Sequence, residues 1–172
     1  HEAIPGHHYQ LSLQQENKAL PIFLHPESLG VFVEGWALYA ESLGKELGLY
    51  DDPIQYFGML SMEMHRAIRL VVDTGMHSKG WTREQAIQYS LDHEAESEAS
   101  IISEIERYMA TPGQALSYKM GQIKIRTLRT KAEQKLGAQF DVRAFHSQVL
   151  NSGSLPLVLL EEKIENWINS QL

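Results

Sequence analysis

The sequence predicts an all-α protein, and three observations predict it. Apolar residues recur at helical rather than alternating spacing along nearly all of the 172 residues, so no stretch reads as a strong strand. Helix punctuation separates those stretches: proline in first turns, glycine at ends, and one Thr-x-x-Gln capping signature. Hydrophobic content of 43% and charged content of 22% suit a globular chain long enough to bury a core.

Taken in order, "HEAIPGHHYQLSLQQENKAL" is expected to be largely helical, followed by a loop holding Pro21, Pro26 and Gly30. "VFVEGWALYAESLGKELG" reads as the second helix, closed by Gly48 and "YDDP". "PIQYFGMLSMEMHRAIRLVVDTGMH" is a long third helix with Pro53 in its first turn, broken by Gly75 and Gly80. Thr82 and Gln85 form a capping box for "REQAIQYSL". "EAESEASIISEIERYMA" is amphipathic, with Ile101, Ile102, Ile105 and Met109 on one side and acids on a solvated face. "TPGQ" restarts a helix with Pro112 early in it, running to about Leu136 before Gly137. "DVRAFHSQVLNSG" and "LPLVLLEEKIENWINSQL" supply the last two helices. No repeat or low-complexity linker divides the chain, so 1–172 is expected to be a single helical domain.

A net charge of −7 argues against a nucleic-acid surface, which needs a basic face. No apolar run approaches the ~18 residues of a membrane span. Cysteine is absent, so a metal would have to sit on His, Asp or Glu. The chain starts at His1 with neither an initiator methionine nor a signal peptide, and is expected to be a piece of something longer. The residues themselves therefore do not give a compartment.

The opening stretch "HEAIPGHHYQ" begins like the zinc-peptidase signature H-E-x-x-H, but Pro5 occupies the second histidine position and His7 and His8 arrive late. In that signature one helix turn presents two imidazoles to a zinc ion (Zn2+), and the glutamate between them is the general base. On a straight helix His1 and His8 would be about 10.5 Å apart along the axis, and His1 and His7 would face different ways. Pro5 removes a backbone donor and clashes with the carbonyl four residues back, that of His1, while Gly6 tolerates unusual dihedrals. Together they allow a bulge that returns a late histidine to the metal, His7 ahead of His8, with Glu2 as base. "VEGWALYAE" offers Glu34 as third ligand, and Glu41, seven residues on and on the same helix face, as the acceptor that orients a ligating histidine.

"HEAIPGHHYQ", "VEGWALYAE", "RLVVDTGMHSKGWTREQAI" and "YMATPGQALSYKMGQ", in that order, resemble the bacterial domain-of-unknown-function family 885 from His1 to about Arg129. That family is similar to helical zinc peptidases of gluzincin type, in which a downstream glutamate is the third ligand and another acid follows seven residues later. The resemblance thus implies a larger helical metallopeptidase-like fold, of which this chain is the C-terminal part. It implies Zn2+ as cofactor, while basic groups near Arg69 or Lys119 point to substrates with a free C-terminal carboxylate, short peptides rather than folded proteins. It also implies a partner in the N-terminal remainder of the same chain, which would form the other cleft wall, and a bacterial periplasmic or envelope location. The piece alone is expected to be inactive. The two inserted residues depart from the usual signature, although the dipeptidyl-peptidase-III-like family carries a one-residue insertion.

The remaining motifs, within 66–122, are read as supports of a cleft. Arg66, Arg69 and Asp73 share a face of the third helix; Arg69 could clamp a substrate carboxylate, or simply pair with Asp73 at i,i+4. His77 and Tyr118 are candidate donors to an oxyanion, and Lys119 could attract a carboxylate. Backbone N–H groups near Gly113 and Gln114 can receive negative charge. Glu104, Arg107 and Tyr108 are expected to brace the "TPGQ" turn. Trp36 and Trp81 are read as scaffold, and His25, His93 and His146 as ordinary surface or core residues. The alternative to an enzyme is a helical module that binds peptide or metal without turnover.

Overall fold

The computed structural model describes residues 1–25 and 29–172, so Pro26 of the expected loop lies outside the described residues. Every regular element among the described residues is helical: α1 (His7–Glu16), α2 (Gly30–Ser42), α3 (Pro53–Lys79), α4 (Arg83–His93), α5 (Glu98–Ala110), α6 (Ser117–Leu136), α7 (Val142–Leu150) and α8 (Leu157–Gln171), with short 3-10 turns at Ile22–Leu24, Gln114–Leu116 and Gly137–Gln139. The all-α expectation holds. None of these helices is long and apolar enough to cross a membrane. The chain forms two compact units, one of His1–Glu41 with Met120–Leu172, the other of Ser42–Lys119.

In the first unit α2 is buried almost all round. Phe32, Trp36, Ala37, Leu38 and Tyr39 are at most 1% exposed, and Glu34 interrupts that run as a half-buried acid. A helix apolar on every face belongs in the middle of its neighbours. Ile125 and Leu128 of α6, Phe145 and Val149 of α7, and Leu160 and Ile164 of α8 are buried in the same unit. The backbones of α2 and α6 touch: a Cβ added to Gly121 would lie 2.0 Å from the Val31 carbonyl oxygen and 2.5 Å from the Gly35 Cα. Only glycine permits that approach. Gly121→Ala is therefore expected to destabilise the chain by at least about 1–3 kcal/mol through overpacking. Urea unfolding would measure it; an unchanged midpoint would show that the crossing relaxes freely.

The second unit has its own core of Ile68, Val72, Ala86, Ile87, Ile101, Ile105, Tyr108 and Ala115. Asp52 caps α3 by accepting from the Ile54 N–H, with Pro53 as the first helical residue. Gly75 does not break α3. Instead the Trp81 ring packs against it, and the helix runs on to Lys79, where Gly80 caps it with φ 71°. The Thr82–Gln85 capping box forms in both directions.

Four local expectations need correction. Gly30 opens α2 rather than lying in the loop, and α2 ends at Ser42, after which the chain turns and Tyr50 folds back on Gly44. The helix expected from Glu94 starts at Glu98, because Glu94 caps the end of α4 and Ser97 caps α5. Met109 is exposed: the buried stripe runs Ile101, Ile105, Tyr108, and Met109 lies eight residues from Ile101, about 80° round the helix. Pro112 sits in a turn before Gly113 and the 3-10 segment, and α6 begins only at Ser117.

Candidate metal centre

The first residues do not continue α1 as a regular helix. The amide N–H groups of His7, His8 and Tyr9 donate to the carbonyls of His1, Glu2 and Ala3, at 2.8, 3.0 and 3.3 Å. A regular helix bonds each N–H to the carbonyl four residues back, and here it is six. From Gln10, which donates to Gly6, the ordinary spacing resumes. Ile4, Pro5 and Gly6 thus take the place of one residue, and His7 occupies the position four after His1 that H-E-x-x-H requires. His8 falls at the equivalent of five, points elsewhere and is exposed.

Two features hold this detour. A Cβ on Gly6 would sit 1.7 Å from the His1 carbonyl oxygen, so the close approach demands glycine. The Trp36 indole donates to the Pro5 carbonyl at 2.8 Å, which satisfies an acceptor the detour removes from the ladder. Trp36 in turn packs edge-on to His146, whose Nε2 meets the Tyr39 hydroxyl at 2.8 Å. Reading Trp36 as scaffold and His146 as an ordinary residue missed this link. Its only trace in the sequence is that Trp36 is two residues from Glu34.

The side chains converge accordingly. His1 Nε2 and His7 Nε2 lie 3.4 and 3.3 Å from the same oxygen of Glu34, Oε2. The two imidazoles meet edge to face, 4.7 Å between centroids. His1 Nδ1 meets Glu41 Oε1 at 2.5 Å. One nitrogen from each histidine and one Glu34 oxygen all lie within 4.8 Å of one another, the one such grouping among the described residues. His1, His7, Glu34 and Glu41 are each less than a quarter exposed. Glu34, and after it Glu41, stabilise the His1 imidazolium and raise its pKa to about 9. The donor set fits a zinc ion: ligands ~2.0–2.2 Å from a tetrahedral centre stand about 3.4 Å apart. Glu2 is exposed, and its carbonyl is fixed by the His8 N–H.

The other candidates fall in the second unit. Arg69 is buried and donates from Nη2 to Glu104 at 2.8 Å, not to Asp73. Asp73 instead accepts the Gly113 N–H, at 3.0 and 3.2 Å from its two oxygens, and the Gln114 N–H donates to the Thr111 carbonyl at 3.2 Å, so both backbone donors expected to receive an anion are used internally. His77 is held at Nε2 by the Tyr108 carbonyl, 3.1 Å away. Lys119 donates to Glu63 at 2.7 Å. Tyr118 accepts from Gln114 Nε2 at 3.3 Å and lies under the guanidinium groups of Arg66 and Arg69. Glu104 draws in Arg107 and the Tyr108 hydroxyl, and Arg107 reaches Gln114, so the brace on the turn is present. His65, which no motif singles out, is buried and bonded to Glu94.

A crystal structure described as "the putative lipoprotein from Colwellia psychrerythraea" superposes with a TM-score of 0.95 at 46% identity, over 98% of this chain and 29% of that one. Another solved structure, of "a putative lipoprotein of unknown function from Shewanella oneidensis", gives a TM-score of 0.84 at 30% identity, over 93% of this chain and 29% of that one. The chain thus spans less than a third of either relative's length. No curated protein matches it. The family model described as "Bacterial protein of unknown function (DUF885)" matches residues 1–164, and the chain belongs to that family.

Proposed function

We propose that these residues carry the metal centre of a zinc-dependent peptidase acting on short peptides, related to the gluzincins, whose remaining parts lie in the rest of a longer chain. One observation carries the reading: two imidazole Nε2 atoms stand at tetrahedral-edge distance from one Glu34 oxygen. His1, His7 and Glu34 would hold the ion, three protein ligands that leave a fourth position open, as in hydrolytic rather than structural sites. A bound zinc ion would supply a water of lowered pKa and polarise the peptide carbonyl.

The protein's own groups do the rest. Glu41 accepts a hydrogen bond from His1 Nδ1–H and so fixes the ring with Nε2 beside Glu34, where it would hold the ion. Glu2 follows His1 directly, as the general base does in H-E-x-x-H; it takes the proton of the attacking water and passes it to the leaving amine. The neighbours described as lipoproteins support an envelope location.

The test is Glu2→Gln in the full-length protein. Zinc content is expected to match wild type while hydrolysis of a short-peptide library falls by about 10²–10⁴-fold. Equal turnover would remove Glu2 from the mechanism, and zinc bound without hydrolysis in wild type would leave a binding module instead.

A further inference from the structure

The second unit holds buried guanidinium nitrogens that lack hydrogen-bond partners among the described residues. Arg69 is 6% exposed, yet among the described residues only Nη2 has a hydrogen-bond partner, while Nε and Nη1 are buried without one. One turn earlier on α3, Arg66 has a buried Nε with no partner among the described residues, and its Nη1 meets the Met62 sulfur, 4.0 Å away. Both guanidinium groups lie against the Tyr118 ring, at 5.7 Å for Arg66 and 4.7 Å for Arg69, and Tyr108 flanks Arg69 from another side at 5.3 Å. The rings stabilise the cations through their faces but accept no in-plane N–H.

Four acids of this unit already hold partners of their own. Glu104 already serves Arg69, Arg107 and the Tyr108 hydroxyl. Asp73 holds the Gly113 N–H, Glu63 holds Lys119 and Glu94 holds His65. Folded proteins seldom leave a buried guanidinium donor unused, because its desolvation is then uncompensated.

We propose that Arg66 and Arg69, set against Tyr118, form a binding site for the carboxylate of a small ligand or a peptide terminus. A singly charged carboxylate suits the place better than a phosphate dianion, since Glu104 already lies 2.8 Å from Arg69 and repels a second negative charge. All of these residues belong to the second unit, and the ligand chemistry does not presuppose hydrolysis.

Titration calorimetry of the full-length protein with N-acetylleucine, N-acetylleucinamide and inorganic phosphate tests the site. The acid is expected to bind at least about tenfold tighter than the amide, and Arg69→Lys to remove that preference with zinc content unchanged. If Arg69→Lys fails to fold, Arg66→Gln, at a less buried position, must reduce it instead. Equal binding of acid and amide, no binding of either, or a preference for phosphate would overturn the proposal. So would a crystal structure of the full-length protein in which an acid of its own chain bonds Arg69 Nη1.

Discussion

Replacing His7 by alanine in the full-length protein is expected to lower zinc affinity by at least about 100-fold, whereas His8→Ala leaves it near wild type. Loss of an orienting partner alone costs roughly 10- to 100-fold, so Glu41→Gln marks the lower bound, and loss of a ligand exceeds it. The contrast between neighbouring histidines follows from the backbone. The hydrogen bonds of His7, His8 and Tyr9 skip six residues, which makes His7 the fourth position from His1 and sends His8 to another face. Metal analysis of dialysed protein, with competition against a chelator of known affinity, gives the answer. Loss of zinc from His8→Ala equal to that from His7→Ala would mean that the Ile4–Gly6 detour closes differently around a cation.

This detour also shows where sequence reasoning succeeds and stops. Period and punctuation locate the eight helices of the described residues, because amphipathic stripes and caps such as Thr82–Gln85 are local properties. The ends were less legible where a distant side chain decided them, as Trp81 on Gly75 keeps α3 continuous and Tyr50 on Gly44 turns the chain after α2. At the candidate site, Pro5 and Gly6 announced an irregularity, and the seven-residue interval from Glu34 to Glu41 marked a shared face. What the residues could not show was the size of the detour. Two residues too many in a hydrogen-bond ladder is a property of closed geometry, fixed by Gly6 against His1 and by Trp36 from another helix.

The second unit obeys a different logic, in which partner choice rather than spacing matters. The i,i+4 rule favoured Arg69 with Asp73, but Asp73 meets the Gly113 N–H, a fixed backbone donor at the turn. Arg69 is then left to Glu104, 35 residues away on α5. A surface rule gives the wrong partner here because both residues are buried, where each must find whatever donor or acceptor the packing supplies.

Glu104→Ala should accordingly destabilise this unit strongly for a polar substitution, by about 2–4 kcal/mol in chemical denaturation. Removing one member of a buried ion pair strands the other, and here it strands Arg69 with no described acceptor while also releasing Arg107 and the Tyr108 hydroxyl. The figure is held below the full buried-pair cost because the Glu104 side chain is 26% exposed. Arg107 first, then the Tyr108 hydroxyl and Arg69, hold the Glu104 carboxylate down to a pKa of about 2, while burial works the other way. The unfolded chain therefore binds a proton at higher pH than the folded one. The stabilisation is complete above the ordinary carboxylate value of 4.5 and disappears as pH falls toward about 2. Stability of the wild type should decline across that window, and the gap between wild type and Glu104→Ala should narrow with it. A gap that stayed constant from pH 6 to pH 2.5 would show that Glu104 acts by packing rather than by charge.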